Sequence, residues 1–241
     1  KELENANKEL VEYNNQLEQF SFITAHNLRA PLARILGLAN VIEITPSQSE
    51  KEQLTQLIVS STKDMDSVIK DLNVILEIKK HTSNLIEVDL VTSFNKVIKT
   101  LEKELEETRA KIVCDFSEID KIDAVAPYVE SILYNLISNA IKYRHPDRVP
   151  LIMIKTNVQN DYVCLSVSDN GLGIDLSRHR QNIFNLYKRF HYHMEGKGLG
   201  LHLVKTQIMS LGGRIEVQSD LSMGTTFLVY FRISHLHQNQ S

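Results

Sequence analysis

Up to Ile75 the chain places apolar side chains three and four residues apart, the spacing of helices that pack along one stripe. Leu3, Leu10, Leu17 and Thr24 fill one heptad position and Ala6, Tyr13 and Phe20 the other, with Glu, Asn, Gln and Lys between them. This alternation predicts a parallel coiled coil over residues 1–24, about 36 Å long at 1.5 Å per residue. The pattern resumes as Leu28, Leu32, Ile35, Ala39 and Ile42, with Pro31 predicting a kink just before it. Thr45-Pro46-Ser47 then breaks the helix and can cap the next one, which reads Leu54, Leu57, Ser61, Met65, Val68, Leu72 and Ile75. Two helices joined by so short a turn form an antiparallel hairpin. Each apolar face is too wide for the other helix to cover, so two hairpins are expected to pair as a four-helix bundle in a homodimer.

After His81-Thr82-Ser83-Asn84 the periods become mixed. A helix is expected over 89–108, a strand over Lys111–Phe116, and a helix over Pro127–Tyr143 with proline in its first turn. Strands follow near 150–158 and 162–168, then a helix near 199–211 and strands over 213–219 and 225–233. Helices mixed with mainly antiparallel strands describe an α/β sandwich. Glycine marks the same division: Gly37 is the single glycine before residue 170, and the other eight fall between Gly171 and Gly224. A glycine-poor first half suits long helices, and a glycine-rich second half suits tight turns and ligand loops.

Composition narrows the function classes. Hydrophobic residues at 42% and charged residues at 24% describe a folded chain. Lys+Arg 27 against Asp+Glu 30 leaves a net charge of −3, so no basic field recruits nucleic acid. Apolar runs stay short of the roughly 18 residues that a membrane span requires. Cys114 and Cys164 have no C-x-x-C spacing and read as reduced thiols within strands, which points to the cytoplasm for this portion. Membrane attachment of the full-length protein is left to segments outside it.

Four segments carry the candidate chemistry. In Thr24-Ala-His26-Asn27-Leu28-Arg29-Ala30-Pro31, His26 sits two residues beyond the heptad position of Thr24 and points off the apolar seam. In Asn135-Leu-Ile-Ser-Asn139-Ala-Ile-Lys142-Tyr143, the polar residues recur at helical spacing and share a face. An amide oxygen suits Mg²⁺ and a lysine suits phosphate. The third segment, Ser168-Asp169-Asn-Gly171-Leu-Gly173, closes a strand. The fourth, Gly196-Lys197-Gly198-Leu199-Gly200, opens a helix whose N-terminus favours phosphate. It is neither the dinucleotide fingerprint nor a G-x-x-x-x-G-K-[ST] loop.

In this order the four segments resemble the sensor histidine kinases of two-component signalling, and the resemblance spans nearly the whole chain. It implies a signalling coiled-coil helix over 1–24 and a dimerisation and histidine phosphotransfer domain over 20–82. A catalytic ATP-binding domain of the Bergerat (GHKL) type would occupy 86–235, followed by a tail over 236–241. It further implies that His26 is the phosphoacceptor, that Asn135 and Asn139 form the N box with Asn139 the Mg²⁺ ligand, and that Lys142 touches phosphate while Tyr143 flanks the nucleotide. Asp169 would accept from the adenine amino group, with Gly171 and Gly173 beside it. Lys197, Gly198, Leu199 and Gly200 would form the second glycine box. Gly224-Thr-Thr226-Phe227 would be the last glycine box, and Ile183-Phe184-Asn-Leu-Tyr187-Lys-Arg189 the F box with Arg189 on the γ-phosphate. The short stretch Asn185–Lys197, with His191 and His193, would form a lid over ATP. The implied activity is that of a protein-histidine kinase, whose partner is a response regulator receiver domain and whose upstream sensor lies outside this chain.

Three positions refine that expectation. Asn135 stands where ATP-hydrolysing relatives of the fold carry a water-activating glutamate, which points to a site that holds ATP without rapid hydrolysis and disfavours a Bergerat-type ATPase or chaperone. Asn27 stands where most relatives carry Asp or Glu after the histidine. It can accept a hydrogen bond but cannot take a proton, so slow autophosphorylation is expected, with a degenerate ATP-sensing dimeric scaffold as the alternative. Ala30 stands where phosphatase-competent relatives place Thr or Asn, which points to weak or absent phosphatase activity.

Overall fold

The computed structural model describes residue 25 and residues 28–78, 85–185 and 198–233. The expected coiled coil, His26, Asn27, the Tyr187–Lys197 stretch and the tail lie outside the described residues. The chain divides between Val74 and Ile75 into two compact units.

The first unit is the expected helical hairpin. Helix α1 runs over 28–44 and continues through Pro31, and α2 spans Gln48–Ile78. Any bend from Pro31 would act on the carbonyl four residues back, at Asn27, outside the described residues. The turn ends α1 where Thr45 Oγ1 donates to the Val41 carbonyl at 2.7 Å. It opens α2 where the Glu50 N–H donates to Ser47 Oγ at 3.4 Å and the Lys51 N–H to the Ser47 carbonyl at 3.0 Å. Ser47 is therefore the N-cap, with an acidic residue three positions on. Among the hairpin's described side chains only Ser61 is fully buried, while Leu32, Leu36, Ile44 and Leu57 are exposed.

The second unit is the α/β sandwich. A five-stranded sheet has the order β2-β4-β5-β7-β6, formed by Lys111–Asp115, Leu151–Gln159, Tyr162–Asp169, Gly224–Arg232 and Arg214–Asp220. The β2–β4 pair is parallel and the other three pairs are antiparallel. Register aligns two rows across the sheet, apolar except for Thr156: Ile154, Val167, Phe227 and Val217, then Thr156, Leu165, Val229 and Ile215. Helices α3 (Leu90–Thr100), α5 (Ala126–Lys142) and α7 (Gly200–Ser210) form the second layer. On α5 the buried Val129, Ile132, Leu133, Leu136, Ile137 and Ala140 supply its apolar face.

Three features differ from the sequence expectation. The helix over 89–108 is two helices, α3 and α4 (Glu102–Thr108), broken at Leu101, whose ψ of 9° leaves the helical region. Val97, Leu101 and Leu105 keep helical spacing across the break, so the pattern hides it. Strands β1 (Ile86–Asp89) and β3 (Lys121–Ala124) form a separate antiparallel pair. Finally, α6 (Leu176–His179) is a single turn capped by Asp175, whose carboxylate accepts from the Ser177 and Arg178 N–H groups.

Candidate functional site

Four separate stretches of sequence meet at one end of the sandwich: the C-terminal half of α5, the loop after β5, the N-terminus of α7 and the start of β7. The face of α5 opposite its apolar stripe presents Asn135, Asn139 and Lys142, all partly buried. Asn135 Nδ2 donates to the Ser131 carbonyl at 2.8 Å, which turns Oδ1 toward α7. There a Cβ on Gly200 would come within 2.5 Å of that oxygen. Only a residue without a side chain lets the end of α7 approach so closely. Tyr143 closes α5, with Lys142 Nζ 4.8 Å from its ring centroid.

The loop after β5 is tied directly to that helix end, because the Leu172 N–H donates to the Tyr143 carbonyl at 2.9 Å. Asp169 ends β5 and turns inward. Its Oδ1 accepts from the Gly171 N–H at 2.8 Å and the Thr225 N–H at 3.2 Å. Burial raises its pKa above the ordinary carboxylate value, and these two hydrogen bonds oppose the shift. Both recorded bonds fall on Oδ1. Gly224 holds φ at 103°, and a Cβ there would strike the Asp169 carbonyl. Gly224 thus lets the start of β7 lie against the backbone of Asp169. Beside it Ser168 Oγ and Thr226 Oγ1 share a hydrogen bond of 2.8 Å.

Two residues outside the expected set brace this corner. Asn170 accepts from the Leu151 N–H at 2.9 Å and donates to the Val149 carbonyl at 3.0 Å, pinning the loop to the start of β4. Arg148 Nη1 donates to the Ser222 carbonyl at 2.7 Å, joining the α5–β4 connection to the β6–β7 turn. The sequence offers one clue, Asn170 lying between Asp169 and Gly171; Arg148 and Ser222 are too far apart in the chain to be paired by inspection.

Asn135, Asn139, Lys142, Tyr143, Asp169, Gly171, Gly173, Gly198, Leu199, Gly200 and Thr226 are all described, and the bonds above link the segments that carry them. Leu199 is buried, and Gly198 adopts φ 68° just before α7. His26, Asn27, Arg189 and Lys197 lie outside the described residues. Among the described residues no three His, Cys, Asp or Glu side chains gather as a metal cage. Cys114 and Cys164 are free and lie in strands, as expected.

Comparison with known proteins agrees with this geometry. Residues 124–235 match the family of histidine kinase-, DNA gyrase B- and HSP90-like ATPases. Residues 16–78 match the His Kinase A (phospho-acceptor) domain. The chain belongs to the sensor histidine kinases. Among relatives of this kinase core, the phytochrome-like protein Cph1 of Synechocystis is 28% identical over 96% of the chain and 31% of its own length. Histidine protein kinase SaeS of Staphylococcus epidermidis is 26% identical over 91% of the chain and 67% of its own length. The core spans about a third of the length of the curated relatives it matches first. In fold it resembles the histidine kinase AdeS of Acinetobacter baumannii, with a TM-score of 0.68 at 21% identity, covering 87% of this chain and 98% of that one. It also resembles ThkA in a complex with the response regulator TrrA, with a TM-score of 0.67 at 19% identity over 92% and 64%.

Proposed function

We propose that this chain is the core of an ATP-dependent protein-histidine kinase that phosphorylates His26 and passes the phosphoryl group to an aspartate of a response regulator. The observation that carries this reading is the Asp169 corner: a buried carboxylate held through Oδ1 by two backbone N–H groups, beside a glycine-lined approach to the N-terminus of α7. A pocket of that form fits an adenine amino group at its base. The α7 N-terminus, with Lys142 on the neighbouring helix, fits polyphosphate. Asn139 is the residue that would hold Mg²⁺ together with phosphate oxygens, consistent with how that ion keeps few protein ligands. When bound, Mg²⁺ neutralises charge on the transferring phosphoryl group.

In the transfer, a neutral imidazole nitrogen of His26 bonds to the γ-phosphorus as the bond to the β-bridging oxygen breaks and ADP leaves. The proton on the other ring nitrogen passes to water, since Asn27 has no carboxylate to receive it. Arg189 and Lys197 are assigned to the phosphates. Asn135 lacks a base for water activation, so free hydrolysis is slow. With Ala30 in α1, phosphatase activity is weak or absent. The wide exposed stripe of the hairpin supports a homodimer, and an upstream sensor supplies the input. Among the described residues no helix is long and apolar enough to cross a membrane.

Asn27 favours a second reading, a degenerate kinase that senses ATP as a dimeric scaffold. Incubation with γ-labelled ATP and Mg²⁺ separates the two. Acid-labile, base-stable label that disappears in His26→Ala supports the kinase. Nucleotide binding with neither label nor released phosphate supports the scaffold, and released phosphate alone indicates an ATPase.

A further inference from the structure

On the inner face of the sheet Val167, Phe227 and Val217 align in one row, all buried. Side chains alternate along a strand, so the next row on that face is Asp169, Thr225 and Ser219. Thr226 is one step out of phase and pairs with Ser168 on the opposite face. Thr225 is 6% exposed, and its N–H donates to Asp169 Oδ1 at 3.2 Å, which puts its side chain in the Asp169 corner.

The hydroxyl of Ser219 is fully engaged. A serine hydroxyl offers one hydrogen and two lone pairs. Ser219 Oγ accepts from the Ile174 N–H at 2.8 Å. It also lies 2.7 Å from the Gly224 carbonyl oxygen and 3.0 Å from Thr225 Oγ1. The carbonyl has no hydrogen to give, so the Ser219 hydrogen goes to it. The bond to Thr225 then runs the other way, with the Thr225 hydroxyl donating into the second lone pair of Ser219. Thr225 Oγ1 is left with lone pairs alone, and so is the ionised carboxylate of Asp169.

We infer that Ser219 is a positioning residue for base selection: by taking the Thr225 hydrogen it makes the corner accept only, which favours a purine carrying an amino group over one carrying an oxo group. An amino group meets such a corner with hydrogens. An oxo group meets it with a lone pair, and a threonine hydroxyl free to turn would answer with its own hydrogen. Ser219 removes that freedom. A site of fixed polarity rejects the wrong group because a buried polar atom is left unpaired. The inference rests on the reading that the Asp169 corner receives the nucleobase.

The test is isothermal titration of the whole chain with ATP and with inosine triphosphate, whose base carries oxo in place of amino, each with Mg²⁺. Wild type should prefer ATP, and Ser219→Ala should lower the ratio of the two dissociation constants about tenfold. Ser219→Thr keeps the hydroxyl and should hold that ratio within about threefold of wild type. A purely structural role would weaken both nucleotides by one factor and leave the ratio alone, and that outcome overturns the inference. So does a wild-type chain that binds the two equally, which leaves the nucleotide reading standing. Binding of neither by wild type would instead sink the nucleotide reading, and this inference with it. Thr225→Val supplies the second measurement. With no hydroxyl left to orient, adding Ser219→Ala should not move the ratio further, and a further fall of the same size overturns the inference. If Ser219→Ala does not fold, the single Thr225 variants decide. Thr225→Ser should keep the wild-type ratio and Thr225→Val should lower it, and equal ratios in the two would overturn the inference.

Discussion

Gly200 sets its bare α-carbon against the side-chain oxygen of Asn135, so closely that a methyl group there would stand 2.5 Å from it. The amide cannot simply swing away, because Nδ2 is held by the Ser131 carbonyl at 2.8 Å. Gly200→Ala therefore has to push two helices apart or break that bond. Overpacking of this kind costs about 1–3 kcal/mol. The cost should largely vanish in the background of Asn135→Ala, where the clashing amide is gone. Urea denaturation of the two single variants and the double variant gives the coupling directly. Additivity within about 0.5 kcal/mol would mean that the contact is not felt.

Asp169 yields a prediction in which function and stability separate. Its folded pKa is raised by burial, so between the unfolded and folded values the native state holds the proton more tightly than the unfolded chain. Stability then falls as pH rises through that window, and at neutral pH the charged carboxylate is a burden on the folded state. Asp169→Asn removes the burden and keeps an oxygen for the Gly171 and Thr225 N–H groups. The variant should bind no adenine nucleotide, yet resist urea at pH 7 at least as well as wild type, with a flatter dependence of stability on pH. Wild-type nucleotide binding should weaken on acidification at a higher pH than an ordinary carboxylate would give. A variant that loses both binding and stability would place the carboxylate's charge among the fold's supports.

Arg148 offers a check on how much the corner depends on its brace. Its Nη1 donates to the Ser222 carbonyl at 2.7 Å, 74 positions away, and to the Asn170 carbonyl at 3.5 Å, next to Asp169. Arg148→Ala should weaken nucleotide binding about three- to tenfold by loosening the β6–β7 turn behind Gly224, and Arg148→Lys should recover part of it. Isothermal titration with ATP and Mg²⁺ measures both, and an unchanged affinity in the alanine variant would leave the brace without a role.

Much of this architecture was legible because the decisive signals are local. Alternation along Leu151–Gln159 and Tyr162–Asp169 marks one face of a sheet, and the threes and fours of Ala126–Lys142 mark one face of a helix. Of the residues assigned to nucleotide in the second unit, Lys142, Tyr143, Asp169 and Gly200 lie at the ends of such elements, while Asn135 sits within α5. What stayed hidden lacks a period. Strands β1 and β3 are four residues each and bury only Val88, Ile122 and Ala124 fully. The break at Leu101 falls on a buried residue that fits the helical stripe on both sides. The contacts of Arg148 and Ser219 with the Ser222 and Gly224 carbonyls end on backbone atoms, which no side-chain pattern records.

The hairpin's uncovered stripe predicts its own partner. Leu36 and Leu57 are 57% and 53% exposed, far too much apolar surface for helices that otherwise repeat at core spacing. A second copy would cover them. Leu57→Glu should turn the dimer into a monomer in sedimentation equilibrium without loss of nucleotide binding, since the residues proposed to hold ATP belong to the other compact unit. A wild-type chain that sediments as a monomer at tens of micromolar would end the four-helix reading.

Asn27 carries the sharpest kinetic expectation. In a serine protease, replacing the aspartate behind the catalytic histidine by asparagine costs about 10⁴-fold in kcat, because the wrong tautomer is held. On the proposed reading the chain stands on the slow side of the same exchange, so Asn27→Asp should accelerate labelling of His26 at least tenfold at saturating ATP, with little change in nucleotide affinity. Placing the carboxylate there changes who receives the imidazole proton and leaves the phosphate clamp alone, so the effect belongs in kcat and not in KM. Ala30→Thr provides an independent control three positions on: it should leave labelling unchanged and introduce dephosphorylation of a phospho-receiver domain. If Asn27→Asp labels no faster than wild type, proton removal does not limit the reaction, and the asparagine is no handicap to this kinase.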